Sequence, residues 1–161
     1  KAGLFRKDEI QAAKSDMIVD AWRDILDAYY SCTFERRLLN GDLVMVPIGD
    51  PEMRKVKLIE FLEHTLTTHL LAFENCLSEN EGSCFLFGEA LTWADLAVFD
   101  LISTFDSNAA TWTFFQYEPP ELLARFPKLQ DLKRNIEDLP LMKDWLSQHP
   151  YEMKKKKLMM K

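Results

Sequence analysis

A chain of 161 residues with 47% hydrophobic side chains is long enough for one domain with a real core and too short to expect two. Formal net charge is −6, and because Lys154, Lys155, Lys156, Lys157 and Lys161 sit in a terminal tail, the body before them stands at −11, which argues against a general nucleic-acid surface. Cys32, Cys76 and Cys84 lack metal-ligand spacing and are odd in number for a disulfide framework. No apolar run approaches a membrane span and no signal peptide is read, so an intracellular, cytoplasmic setting is expected. The chain opens on Lys1 and passes at once into ordinary sequence, so a processed or truncated N-terminus is expected.

Apolar residues at Ile10, Met17, Ile18, Ala21, Trp22, Ile25 and Tyr29 recur at helical steps and predict a first long helix from about Asp8 to about Phe34. Cys32 to Gly49 breaks the pattern. Asn40-Gly41 between apolar residues can be read as a hairpin turn, but no other strand is available to pair with it, so an irregular connector is preferred. Asp50-Pro51-Glu52 supplies an N-cap with proline at the first helical position, and Val56, Ile59, Leu62, Leu66, Leu70, Phe73 and Leu77 carry a stripe to about Leu77. A polar loop spans Glu79 to Ser83.

Leu91-Thr92-Trp93-Ala94-Asp95-Leu96 combines two helix-start devices. With Thr92 as N-cap, its hydroxyl can accept from the Asp95 N–H while the Asp95 carboxylate returns the bond, and Leu91 can pack on Leu96. The following Leu96-Ala97-Val98-Phe99-Asp100-Leu101-Ile102 is apolar almost all round, which predicts a buried helix ending near Ser107. Pro119-Pro120 and Phe126-Pro127 open two further helices, the second buried through Leu129, Leu132 and Ile136. Pro140 starts a last one through Trp145, closed by His149-Pro150. The expectation is all-α: a bundle of five to six helices over residues 1–150, with a basic tail at 151–161.

Phe87-Gly88-Glu89-Ala90-Leu91-Thr92-Trp93-Ala94-Asp95, then Phe126-Pro127-Lys128-Leu129, then Leu139-Pro140 with Trp145-Leu146 and His149-Pro150, together resemble the C-terminal domain of cytosolic glutathione transferases. The sigma class, with its prostaglandin D synthases and S-crystallins, is the nearest likeness. Its helix pattern is similar to Asp16-Met17-Ile18-Val19-Asp20-Ala21-Trp22-Arg23-Asp24, and Ala2-Gly3-Leu4 is similar to the family's interdomain link. The resemblance implies a glutathione transferase-like helical domain whose thioredoxin-like, thiol-activating half is absent from this chain, so no catalytic residue is expected here. Glutathione is implied as a co-substrate only with an upstream domain. A homodimer or a place in a protein complex is implied as well.

Asp16, Asp20 and Asp24 fall at i, i+4 and i+8 on one helix face, where like charges repel by roughly 0.2–0.5 kcal/mol per pair. The resemblance implies that Asp24 reaches the amino group of glutathione in a partner subunit, with Asp20 beside it. Arg23 stands where the family's metal-binding members carry a third acid, so no metal is expected. The plainer alternative is a solvated face partly neutralised by Arg23, three residues after Asp20 and four before Asp27. Leu26 and Tyr30 on the first helix and Ala97 and Leu101 on the capped helix are implied as pocket-lining, or else as plain core. Asp100 among apolar residues is either a buried charge or turned to solvent. His64 and His69, five apart, lie on different faces, unlike a helical metal pair. Cys76 and Cys84 read as small buried hydrophobes, and Trp112, Phe114, Phe115 and Tyr117 as core packing or else an exposed contact surface. Lys154 to Lys157 reads as a solvated tail or a contact for an acidic partner or anionic lipid. The opposing reading of the whole chain is a non-catalytic assembly module that keeps the transferase fold.

Overall fold

Asp8 accepts the N–H of Gln11 at 2.9 Å and so fixes the start of α1, Glu9–Thr33, in the computed structural model, which describes residues 4, 8–80, 82–105 and 121–148. Ile18 and Ile25 bury fully or nearly so, and Ala21, Trp22, Leu26 and Tyr29 flank them against the core.

The segment after α1 corrects the expected irregular connector. Phe34–Leu39 (β1) and Asp42–Pro47 (β2) form an antiparallel hairpin in which Leu39 faces Asp42 and Phe34 faces Pro47. Asn40 and Gly41 turn it with φ of 53° and 92°, the two positive angles that a two-residue turn of this hand requires. A third strand is unnecessary because each strand is the other's partner, and Ile48 extends the pairing by donating its N–H to the Thr33 carbonyl at 3.2 Å. The architecture is therefore mostly helical with one short two-stranded sheet, rather than strictly all-α.

Asp50 then accepts from the N–H groups of Glu52 and Met53, with Pro51 at the first position, and starts α2, Pro51–Glu60. The rod continues without a break through a π-helical stretch, Phe61–Leu66, into α3, Thr67–Glu79. The Thr67 hydroxyl donates to the Leu62 carbonyl, five residues back, at 2.7 Å. This wider turn overturns part of the expected stripe. Leu62, Leu66, Leu70, Phe73 and Leu77 are buried as expected, but further back Leu58 and Phe61 are buried too, while Ile59 is half-buried and Val56 is 63% exposed. One extra residue in a turn rotates the rod by about one 3.6-residue step, so a single α-helical phase carried back from Leu77 lands one residue off.

Trp93–Thr104 forms α4, which packs chiefly against α1, with Val98, Phe99, Leu101 and Ile102 buried. A 3₁₀ turn at Leu122–Arg125 leads into α5, Pro127–Glu137, buried through Leu129, Leu132 and Ile136, and then into α6, Pro140–Gln148. Five helical rods thus surround one core among the described residues. The expectations for Trp112, Phe114, Phe115, Tyr117, the Pro119-Pro120 helix start, the helix end near Ser107, His149-Pro150 and the Lys154 to Lys157 tail lie outside the described residues.

Candidate functional site

The α1–α4 seam collects most of the residues singled out in the sequence. Ile25 and Leu101 lie wholly in the core, Leu26 and Ala97 are half-buried beside it, and Tyr30 is 44% exposed at the C-terminal end of α1. Tyr29 meets Phe105 edge-on with centroids 5.2 Å apart, and Phe61 lies 5.9 Å from Tyr29 and 5.6 Å from Phe105. Three elements, α1, the π stretch and the end of α4, are locked by this aromatic trio. Tyr30 instead stacks toward Phe34, 6.1 Å away, at the root of the hairpin.

Asp100 is not a buried charge. It is turned to solvent, and its Oδ2 accepts from Trp22 Nε1 at 3.3 Å, which ties α4 to α1 at the rim of the seam. Asp16, Asp20, Asp24 and Asp27 are all exposed on the face of α1 directed away from the core. Among the described residues Arg23 makes no ion pair with Asp20 or Asp27. The row stands as bare carboxylates. An exposed carboxylate free of any ion pair suits a ligand ammonium group, and Asp24 has that character. Among the described residues no cluster of three His, Cys, Asp or Glu side chains is arranged to hold a metal ion. His64 is exposed and His69 half-buried, its ring tilted against Phe73 at 6.4 Å.

The start of α4 is built from buried polar groups. Thr92 is 1% and Asp95 0% exposed, and the capping box is formed. Asp95 Oδ2 accepts from the Thr92 N–H at 2.7 Å and from its hydroxyl at 2.5 Å, while Asp95 Oδ1 accepts from the Leu86 N–H at 2.7 Å. Leu91 and Leu96 both pack against the core. These bonds hold the loop around Leu86 and the helix start as one piece.

Two features escape any reading of local sequence. Glu74, on α3, accepts the N–H groups of Lys128 and Leu129 with its two oxygens, each at 2.9 Å, and so caps α5 from another helix. A polar cleft of about 430 Å³ opens between α3, the Ser83-Cys84 loop and α5, lined among others by Lys128, Asp131, Arg134 and Asn135. Cys84 in that cleft is exposed, which corrects its expected burial. Cys76 and Cys32 are half-buried. Burial pushes the Cys32 thiol up to about 11, and burial with the neighbouring Glu79 charge raises Cys76.

Comparison with known proteins bears on the whole arrangement. Bovine glutathione S-transferase A2 is 28% identical over 147 residues, covering 91% of this chain and 54% of the relative. The structure of rat hPGDS complexed with a quinoline superposes with a TM-score of 0.64 at 18% identity, over 90% of this chain and 59% of that one. Monomeric Na-GST-3 from the hookworm Necator americanus gives a TM-score of 0.61 at 21% identity, over 92% and 62%. These two structural likenesses speak for the fold alone. The chain spans about half the length of the curated relatives it matches. No helix among the described residues is long and apolar enough to cross a membrane. Residues 42–149 match the family model for the glutathione S-transferase C-terminal domain, which takes in the capped start of α4 and the cleft but not α1, and the chain belongs to that family.

Proposed function

We propose that this chain is the C-terminal half of a sigma-like glutathione transferase, acting in the cytoplasm as the hydrophobic substrate wall and as part of a homodimer contact. The thiolate chemistry belongs to a thioredoxin-like half that the chain itself does not contain. The observation that carries the reading is the bare acidic face of α1, where Asp24 and Asp20 stand exposed and unpaired among the described residues. On this reading Asp24 receives the ammonium group of glutathione from a partner subunit, with Asp20 beside it. Leu26, Tyr30 and Ala97 form the surface of the wall, backed by Leu101.

The test is the full-length protein assayed for glutathione binding by calorimetry and for conjugation of glutathione to a chlorodinitrobenzene. Asp24→Asn should raise the glutathione KM about tenfold, the loss of one charge-assisted contact, with kcat little changed. Absence of both binding and conjugation defeats the enzymatic reading.

A second reading, a structural or assembly module within a larger complex, is favoured by the hairpin, which holds Leu38 70% and Leu43 65% exposed. Recovery of the protein in a stable complex, with no glutathione bound, supports it.

A further inference from the structure

The hairpin has two unlike faces. The register places Arg36 opposite Met45 and Leu38 opposite Leu43, so these four side chains share one face. On the other, Arg37 pairs with Glu35, Val44 and Val46 are half-buried, and Leu39 at the tip is 51% exposed. The first face is bare: Leu38, Leu43 and Met45 are 70, 65 and 50% exposed, and Arg36 has no ion pair among the described residues. A two-stranded hairpin is marginal unless a surface supports it, and the Leu38, Leu43 and Met45 face has no such support within one copy.

The outer face of α1 is the complement of this one. Ile10 and Met17, one heptad apart, are 70 and 69% exposed and run in line with Asp24, with Asp16 and Asp20 alongside them. One surface therefore joins three apolar side chains to an unpaired cation, and the other joins two apolar side chains to unpaired anions. Both are exposed in a single copy, so the hairpin does not cover its own α1. Met17 lies 16 residues before the helix end, about 24 Å along the axis from the root of the hairpin. Two copies with their α1 helices side by side and antiparallel place each hairpin root next to the N-terminal half of the other α1.

We propose that the β1–β2 hairpin is a homophilic arm. In a dimer its Arg36, Leu38, Leu43 and Met45 face lies on α1 of a second copy, the apolar side chains covering Ile10 and Met17 and Arg36 meeting Asp16 and Asp20. The contact is isologous and closes after two copies. This deepens the homodimer part of the reading above and rests on it, but needs nothing from glutathione.

The experiment is sedimentation velocity on the full-length protein and its variants, with circular dichroism to confirm folding. The wild type should dimerise. Arg36→Glu and Asp16→Arg, each applied twice in a dimer, should each weaken dimerisation at least tenfold, and the two combined should restore it to within about threefold. Leu38→Ser with Met45→Ser, both at exposed positions, should weaken it without altering the circular dichroism. A dimer unaffected by the hairpin variants overturns the arm and leaves the homodimer standing. A wild type that is monomeric at every concentration overturns both, and glutathione binding by that monomer would still leave the transferase reading intact. Hairpin-dependent binding to phosphatidylserine and phosphatidylcholine vesicles without self-association overturns the arm in favour of a membrane surface.

Discussion

The Asp95 carboxylate accepts the backbone N–H of Leu86 at 2.7 Å, so a side chain in the first turn of α4 satisfies a buried donor nine residues upstream. Asp95 thereby serves two segments at once, the start of its own helix and the loop that precedes it. Asp95→Ala should cost about 2–4 kcal/mol, combining a lost cap with a buried N–H left unsatisfied. Asp95→Asn, which keeps one acceptor oxygen, should cost less. Urea denaturation of both variants measures the difference, and equal losses would show that the Leu86 bond adds nothing to the cap.

Glu74 does for α5 what no residue adjacent to α5 can do, since Phe126 at the cap position has no side-chain acceptor. Glu74→Ala should lower stability by about 1–2 kcal/mol, in the range of a helix cap with a charged acceptor. Glu74→Gln, retaining one oxygen, should recover roughly half. The readout is again the urea midpoint, with unchanged slope.

The Asn40-Gly41 turn supplies a local test. Gly41 has φ +92°, a conformation other side chains enter with strain, although an added Cβ would meet no atom within 4 Å. Gly41→Val should therefore loosen the hairpin through backbone strain alone. Hydrogen exchange of the Arg37 and Val44 amides should accelerate, while protection of Leu101 and Ile102 in α4 stays as it was.

Thiol reactivity should separate the three cysteines. With its pKa near 11, Cys32 holds on the order of a hundredfold less thiolate at neutral pH than an ordinary thiol, because the raised value favours the protonated form. Titration with a disulfide reagent should show one fast thiol, removed by Cys84→Ser, and two slow ones. The Cys32 rate should climb as pH rises toward 11. A fast Cys32 in the native protein would contradict its burial.

Legibility in the sequence followed the range of the forces involved. Asp8, Asp50 with Pro51, and Thr92 with Asp95 act within three residues, and each marks a helix start visible in the sequence. Leu129, Leu132 and Ile136 were readable for the same reason, as a stripe on one uninterrupted helix. The hairpin carries its signal in Asn40-Gly41, whose positive φ angles close the turn, and its two strands pair with each other without a third. Glu74 meets Lys128 from 54 residues away, and no spacing rule reaches that far. At the candidate site the acidic face of α1 was legible from its four-residue period. Whether Arg23 bonds to it depends on rotamers, which sequence does not encode.

The π-helical stretch at Phe61–Leu66 sets the phase between the two halves of one rod. Upstream Leu58, and at its first position Phe61, face the core, and downstream Leu70, Phe73 and Glu74 are aimed at their partners. If the same residues relaxed into an ordinary helix, everything beyond the stretch would turn by about 100°, Glu74 would swing off α5 and the buried stripe would face water. Removing one residue from the stretch instead lets an ordinary helix form with both halves still in phase. The stretch is thus a one-residue slack in the rod: the domain tolerates its loss by deletion, but not its straightening at full length.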